Sequence, residues 1–152
     1  MRRLFNAQFH RSALVFIAIS LSSCVTLMAS YDEKIDEMTT SLQRKISTEL
    51  ESLSAAQSPD CLYPNHAAFY RDVRVDLSAL EVRAEAHQLN DLTIGQIREL
   101  RGAIDDLDKL HQRASSKPRC MQASEFPDLQ RGINQITTAI VKLELAKKRG
   151  QP

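Results

Sequence analysis

Three observations on this 152-residue chain predict an all-α fold, an antiparallel up-down-up-down four-helix bundle. Glycine is scarce (four residues), tryptophan is absent and aromatics are few, a composition that favours helices over a β-sandwich. Beyond residue 30, four stretches of about 20 to 28 residues carry apolar side chains at three- and four-residue steps. The connections between them are short, which forces antiparallel neighbours.

The first 24 residues stand apart from that pattern and read as an export signal. Arg2, Arg3 and Arg11 give a basic start, Ala13 to Leu21 an apolar core, and small residues follow. The run ends in Leu21-Ser22-Ser23-Cys24, which resembles the lipobox of bacterial lipoproteins. The resemblance implies cleavage before Cys24, a diacylglycerol on its thiol, residues 1–23 as signal peptide and residues 24–30 as lipidated cysteine and tether. Residues 31–149 are then the bundle. Two other readings compete: Ala13 to Ala29 approaches the length of a membrane-spanning helix, and Arg2-Arg3-Leu4-Phe5 looks like a twin-arginine core.

Helix one begins at Tyr31-Asp32-Glu33 with acids in its first turn, where they oppose the helix dipole. Its stripe is Ile35, Met38, Leu42, Ile46, Leu50 and Leu53, running to about Gln57. Tyr31-Asp32, Ile35-Asp36, Thr40 and Leu42-Gln43 resemble the opening of small helical lipoproteins of unassigned function in Gram-negative bacteria, a likeness of about a dozen residues that implies no activity. Helix two is expected from about Asn65 to Gln88, with Tyr70, Val73, Leu77, Leu80, Ala84 and His87 in register.

A break at Leu89-Asn90-Asp91 precedes helix three, where Thr93 and Gln96 have the spacing of a capping box. Ile94, Ile97, Leu100, Ile104, Leu107 and Leu110 form its stripe to about Ser115. Asp105, Asp106 and Asp108 are read as solvated, and Gly95 and Gly102 as points where a neighbouring helix comes close. Helix four starts around Ser124 to Pro127, carries Leu129, Ile133, Ile136, Ile140 and Leu143, and ends in Lys147-Lys148-Arg149-Gly150.

Three cysteines is an odd count. Lipidation of Cys24 leaves Cys61 and Cys120, which are equidistant from the Asn90-Asp91 turn and therefore side by side in an antiparallel hairpin. A disulfide between them closes a loop of about 60 residues, worth roughly 4 kcal/mol in the chain-entropy model. The same geometry brings His66 near His111 on that end, so a zinc or copper site of two thiolates and two imidazoles is the metal alternative. A haem reading would use His87 or Met38, but there is no Cys-x-x-Cys-His; either cofactor would suit a periplasmic stress protein.

Without its signal peptide the chain has 17 basic and 19 acidic residues, a net charge near −2. No basic excess or nucleic-acid-binding signature points to DNA or RNA. No Gly-x-Ser-x-Gly, phosphate loop or His-Glu-x-x-His is present. The expectation is a non-enzymatic envelope protein with no cofactor beyond the lipid on Cys24, held to a membrane by that lipid and binding an unidentified envelope protein partner. The same stripes also admit self-association through coiled coils. The lipoprotein resemblance implies that Val25, in place of the aspartate that retains such proteins at the inner membrane, directs the chain to the outer membrane of a Gram-negative cell, facing the periplasm. The clasped loops would lie far from the membrane and the C-terminus near it, with Lys142, Lys147, Lys148 and Arg149 as a basic patch at the lipid headgroups.

Overall fold

The computed structural model describes residues 28–117 and 119–150, and the lipobox with Cys24 falls outside them. Four helices follow one another: α1 Glu33–Ala55, α2 Tyr63–Glu85, α3 Asp91–Ser115 and α4 Phe126–Gly150, the last entered through a 3-10 turn at Ala123–Glu125. Each packs against its neighbours in sequence, and α4 closes the ring against α1. This is the expected up-down-up-down bundle.

The inward stripes converge on one core. Ile35, Leu42, Ile46, Leu50 and Leu53 of α1 meet Tyr70, Val73, Leu77, Leu80 and Ala84 of α2, Ile97, Leu100, Ile104 and Leu107 of α3, and Ile133 and Ile140 of α4. Met38, Ile94, Leu110, Leu129 and Ile136 sit at its margins, half buried. Part of the α1–α4 seam is polar instead: Gln43 donates to Asn134 (2.9 Å) and Gln130 to Ser47 (2.8 Å).

Capping sets where the helices begin. Asp32 caps α1, its carboxylate accepting from the Lys34 N–H (2.8 Å) and using a donor that the first turn leaves free. α2 starts at Tyr63, two residues before the expected position, with Pro64 in its first turn; the Tyr63 N–H donates to Ser115 Oγ (2.7 Å) at the end of α3. α3 differs more from expectation. It starts at Asp91 behind Asn90, so Thr93 is already inside the helix and caps nothing. The reason is phase: Thr93 falls on the inward stripe with Ile97 and Ile104, fully buried, where its hydroxyl meets α4.

The two glycines of α3 also depart from the reading. A Cβ built on Gly95 or Gly102 would meet nothing within 4 Å, so neither serves a close helix approach. At the α2–α3 turn, Leu89 takes a left-handed conformation (φ 61°) that glycine or asparagine usually fills.

Cys61 and Cys120 form a disulfide across 59 residues, with Cα atoms 5.4 Å apart. It ties the α1–α2 connection to the α3–α4 connection, at the end opposite the α2–α3 turn, where the hairpin argument placed it.

Candidate functional site

Polar side chains gather at the two ends of the bundle, and the ends differ in chemistry. At the disulfide end, His111 of α3 is fully buried, in phase with Ile104 and Leu107. Its Nε2–H donates to the Cys61 carbonyl (2.8 Å), which leaves Nδ1 to accept from the Tyr70 hydroxyl (2.9 Å). Burial holds the His111 pKa below the usual histidine value, so the ring is the neutral tautomer those two bonds require. Burial likewise pushes the Tyr70 hydroxyl well above the ordinary tyrosine range, keeping it a donor.

His66 lies beside it, ring centroids 5.4 Å apart, as the hairpin geometry anticipated. Its nitrogens contact Glu49 Oε1 (2.6 Å) and the Asp60 carbonyl (2.8 Å). Tyr63 stacks on Tyr70 (5.7 Å) and meets His111 edge-on. All four residues of the metal alternative therefore come together, but the two sulfurs are bonded to each other and both nitrogens of each imidazole already face partners. Among the described residues no group of three His, Cys, Asp or Glu side chains has metal-binding geometry.

Asp108 departs from its reading as a solvated acid. It is buried, accepting from Arg74 and from Gln112 (2.9 Å), while Arg74 also bonds Asp105 (2.9 Å). Burial raises its pKa, but hydrogen bonds from Arg74, Gln112 and Tyr63 outweigh that and hold it below the usual carboxylate range. Asp105 is half buried through the same arginine, and Asp106 alone of the three is freely exposed.

At the opposite end, the start of α1, the α2–α3 turn and the end of α4 are joined by a buried ionic network. Glu144 Oε1 accepts from Lys147 and from the Thr93 hydroxyl (3.1 Å), and Oε2 from the Asp32 N–H (3.3 Å). Lys147 also donates to Asn90 Oδ1 and to Thr93 Oγ1 (3.0 Å), while the Asn90 amide donates to the Ala84 carbonyl (2.8 Å). Beside them the Asp32 carboxylate binds Arg83 (2.7 Å) and His87 (2.8 Å). Burial raises the Asp32 pKa, but the bonds from Arg83, His87 and the Lys34 N–H prevail and lower it to about 2.

Lys147 is thus no member of a surface basic patch: it is 4 % exposed and holds Glu144, itself fully buried. Lys142, Lys148 and Arg149 are exposed, and the Lys148 ammonium stands 5.0 Å from the centre of the Tyr31 ring. His87, expected on the apolar stripe, is half buried and tied to Asp32, and Met38 packs at the core margin. The network went unread in the sequence although a signal existed. Ile133, Thr137, Ile140, Glu144 and Lys147 follow a 4-3-4-3 spacing that puts all five on the inward face.

Between α3 and α4 runs an open groove of about 650 Å³ with Leu107, Leu110, Leu129 and Ile136 in its walls. Asp106 and Asp128 at its rim are each paired within their own helix, with Lys109 and Arg131. Every buried side-chain nitrogen and oxygen among the described residues has a partner.

Fold and ends together define a disulfide-clasped, all-α bundle with an ionic lock at the end where the chain enters. No family model matches the chain, no curated protein matches it, and no solved structure matches it.

Proposed function

We propose that the protein is a lipid-anchored lipoprotein of the bacterial cell envelope, placed at the outer membrane and facing the periplasm. Its role is non-enzymatic: a rigid helical body that offers a surface to an envelope partner or acts as a structural element. The observation that carries this reading is the cysteine pairing. With Cys61 and Cys120 bonded to each other, Cys24 is the one cysteine left over, and it is the residue that closes Leu21-Ser22-Ser23-Cys24 behind an apolar run. A disulfide of this span in a small domain also suits an oxidising compartment. No helix among the described residues is long and apolar enough to cross a membrane.

The test is fractionation of cells that express the full chain. The wild-type protein is expected in membranes, resistant to extraction with salt or carbonate and released by detergent. Replacing Cys24→Ala should move it to the soluble fraction. Membrane retention of the Cys24→Ala protein would refute the lipid anchor and favour an uncleaved N-terminal helix.

A further inference from the structure

Six large apolar side chains stand exposed among the described residues, and they are distributed unevenly along the bundle axis. Val75 and Val82 lie along α2. Met28, Leu89, Leu92 and Leu145 all sit at the end that carries the ionic lock, and none sits at the disulfide end. Leu92 is 71 % exposed in the first turn of α3 and Leu89 is 55 % exposed in the turn before it, so neither contributes much to the core. Leu89 also occupies a left-handed conformation that asparagine or glycine would adopt more readily. Folding alone does not account for a leucine at that position.

The path of the chain says what this edge faces. The Ala29 N–H donates to the Leu89 carbonyl (3.2 Å), fixing the entering chain against the α2–α3 turn. Cys24 is five residues upstream, and five residues reach at most about 17 Å when fully extended. A lipid on Cys24 therefore keeps a bilayer within that short leash of Met28, Leu89 and Leu92. Tethering makes the encounter intramolecular, so a contact too weak to form from free solution becomes populated.

Resting on the lipid-anchor reading above, we propose that the edge formed by Met28, Leu89 and Leu92 seats on the lipid surface and gives the bundle a second, non-covalent hold on its membrane. Charge is a minor part of that contact. Lys34, Arg83, Lys142, Lys148 and Arg149 are exposed at this end, but so are Glu33, Glu37, Glu85 and Asp91, which leaves only a small positive excess. Leucine and methionine insertion at the level of the headgroups is the driving interaction, and it works on neutral lipid. The disulfide end, with no exposed large apolar side chain, points to the aqueous side.

The experiment uses the full protein extracted from membranes, bearing Leu92→Cys or, as a reference at the far end, Lys117→Cys. Each is labelled with an environment-sensitive thiol dye and reconstituted into phosphatidylcholine vesicles containing nitroxide-labelled phosphatidylcholine. Intact mass records whether Cys24 carries lipid, and circular dichroism confirms an unchanged helical body. The proposal expects a lipidated Cys24, a blue-shifted and quenched dye at position 92, and an unquenched dye at position 117. Adding Leu89→Asn, which suits the left-handed turn, should reduce the quenching at 92. A lipidated protein with both dyes equally exposed would overturn the seating while leaving the anchor standing. Quenching at 117 but not at 92 would overturn it by reversing the orientation. An unlipidated Cys24 would overturn both readings.

Discussion

Lys147 stands one helical turn from Glu144, and neither side chain reaches water to any useful extent, with exposures of 3 % and 0 %. A buried pair of this kind adds little net stability over well-packed apolar residues, but removing one partner strands a charge and costs about 3–5 kcal/mol. Lys147→Met should therefore lower the unfolding free energy by about that amount in urea denaturation, and adding Glu144→Leu should recover most of the loss. Asp32 makes the same end acid-sensitive. Its folded pKa of about 2 lies below the unfolded value of about 3.9, so its contribution is complete above pH 4 and disappears as pH falls towards 2. About 2 kcal/mol is at stake, and Asp32→Asn should flatten the stability profile in that window. At this scale the sequence was only half legible. The 4-3-4-3 spacing of Ile133, Thr137, Ile140, Glu144 and Lys147 carries their inward phase, yet Lys147 was read as surface because a charged pair reads so until its partners are known. Those partners, Asn90 and Thr93, lie more than fifty residues away. Asp108 was missed for the same reason, its arginine being 34 residues upstream.

The four helices themselves were legible because an apolar stripe at 3.6-residue period can be buried in only one way. Their ends were less so. Helix α3 starts where Asn90 and the turn allow, and the Thr93-to-Gln96 spacing that resembles a capping box is incidental to a threonine that faces α4. The glycines of α3 show the same limit, since spacing placed them beside the stripe but could not say whether a neighbour approaches. Gly102 has open space where a Cβ would be and sits in the helix interior. Gly102→Ala should therefore stabilise the protein by about 0.5–1 kcal/mol, through lower unfolded-chain entropy and better helix propensity, read as a rise in thermal midpoint with the disulfide intact. A fall in the midpoint would mean that α3 is packed more tightly at that point than the structure has it.

On the scale of the whole molecule, the antiparallel topology turns one-dimensional distances into ends. Equal separation of residues 61 and 120 from the Asn90-Asp91 turn sufficed to join Cys61 to Cys120, and the same symmetry brought His66 to His111. What symmetry could not foresee is that the two ends would be built differently. One is closed by a covalent clasp and a buried Tyr70–His111 pair. The other is closed by ions and edged with exposed leucines next to the entering chain. That division gives Cys24 its place in the account, because the cysteine left over from the clasp lies on a short leash from the leucine edge. The most direct measurement is the intact and proteolytic mass of the protein purified from membranes. The account predicts a mature chain that begins at Cys24, carries diacylglycerol on that residue, links Cys61 to Cys120 and has no free thiol. A chain that retains Met1, or begins elsewhere with an unmodified Cys24, would contradict it.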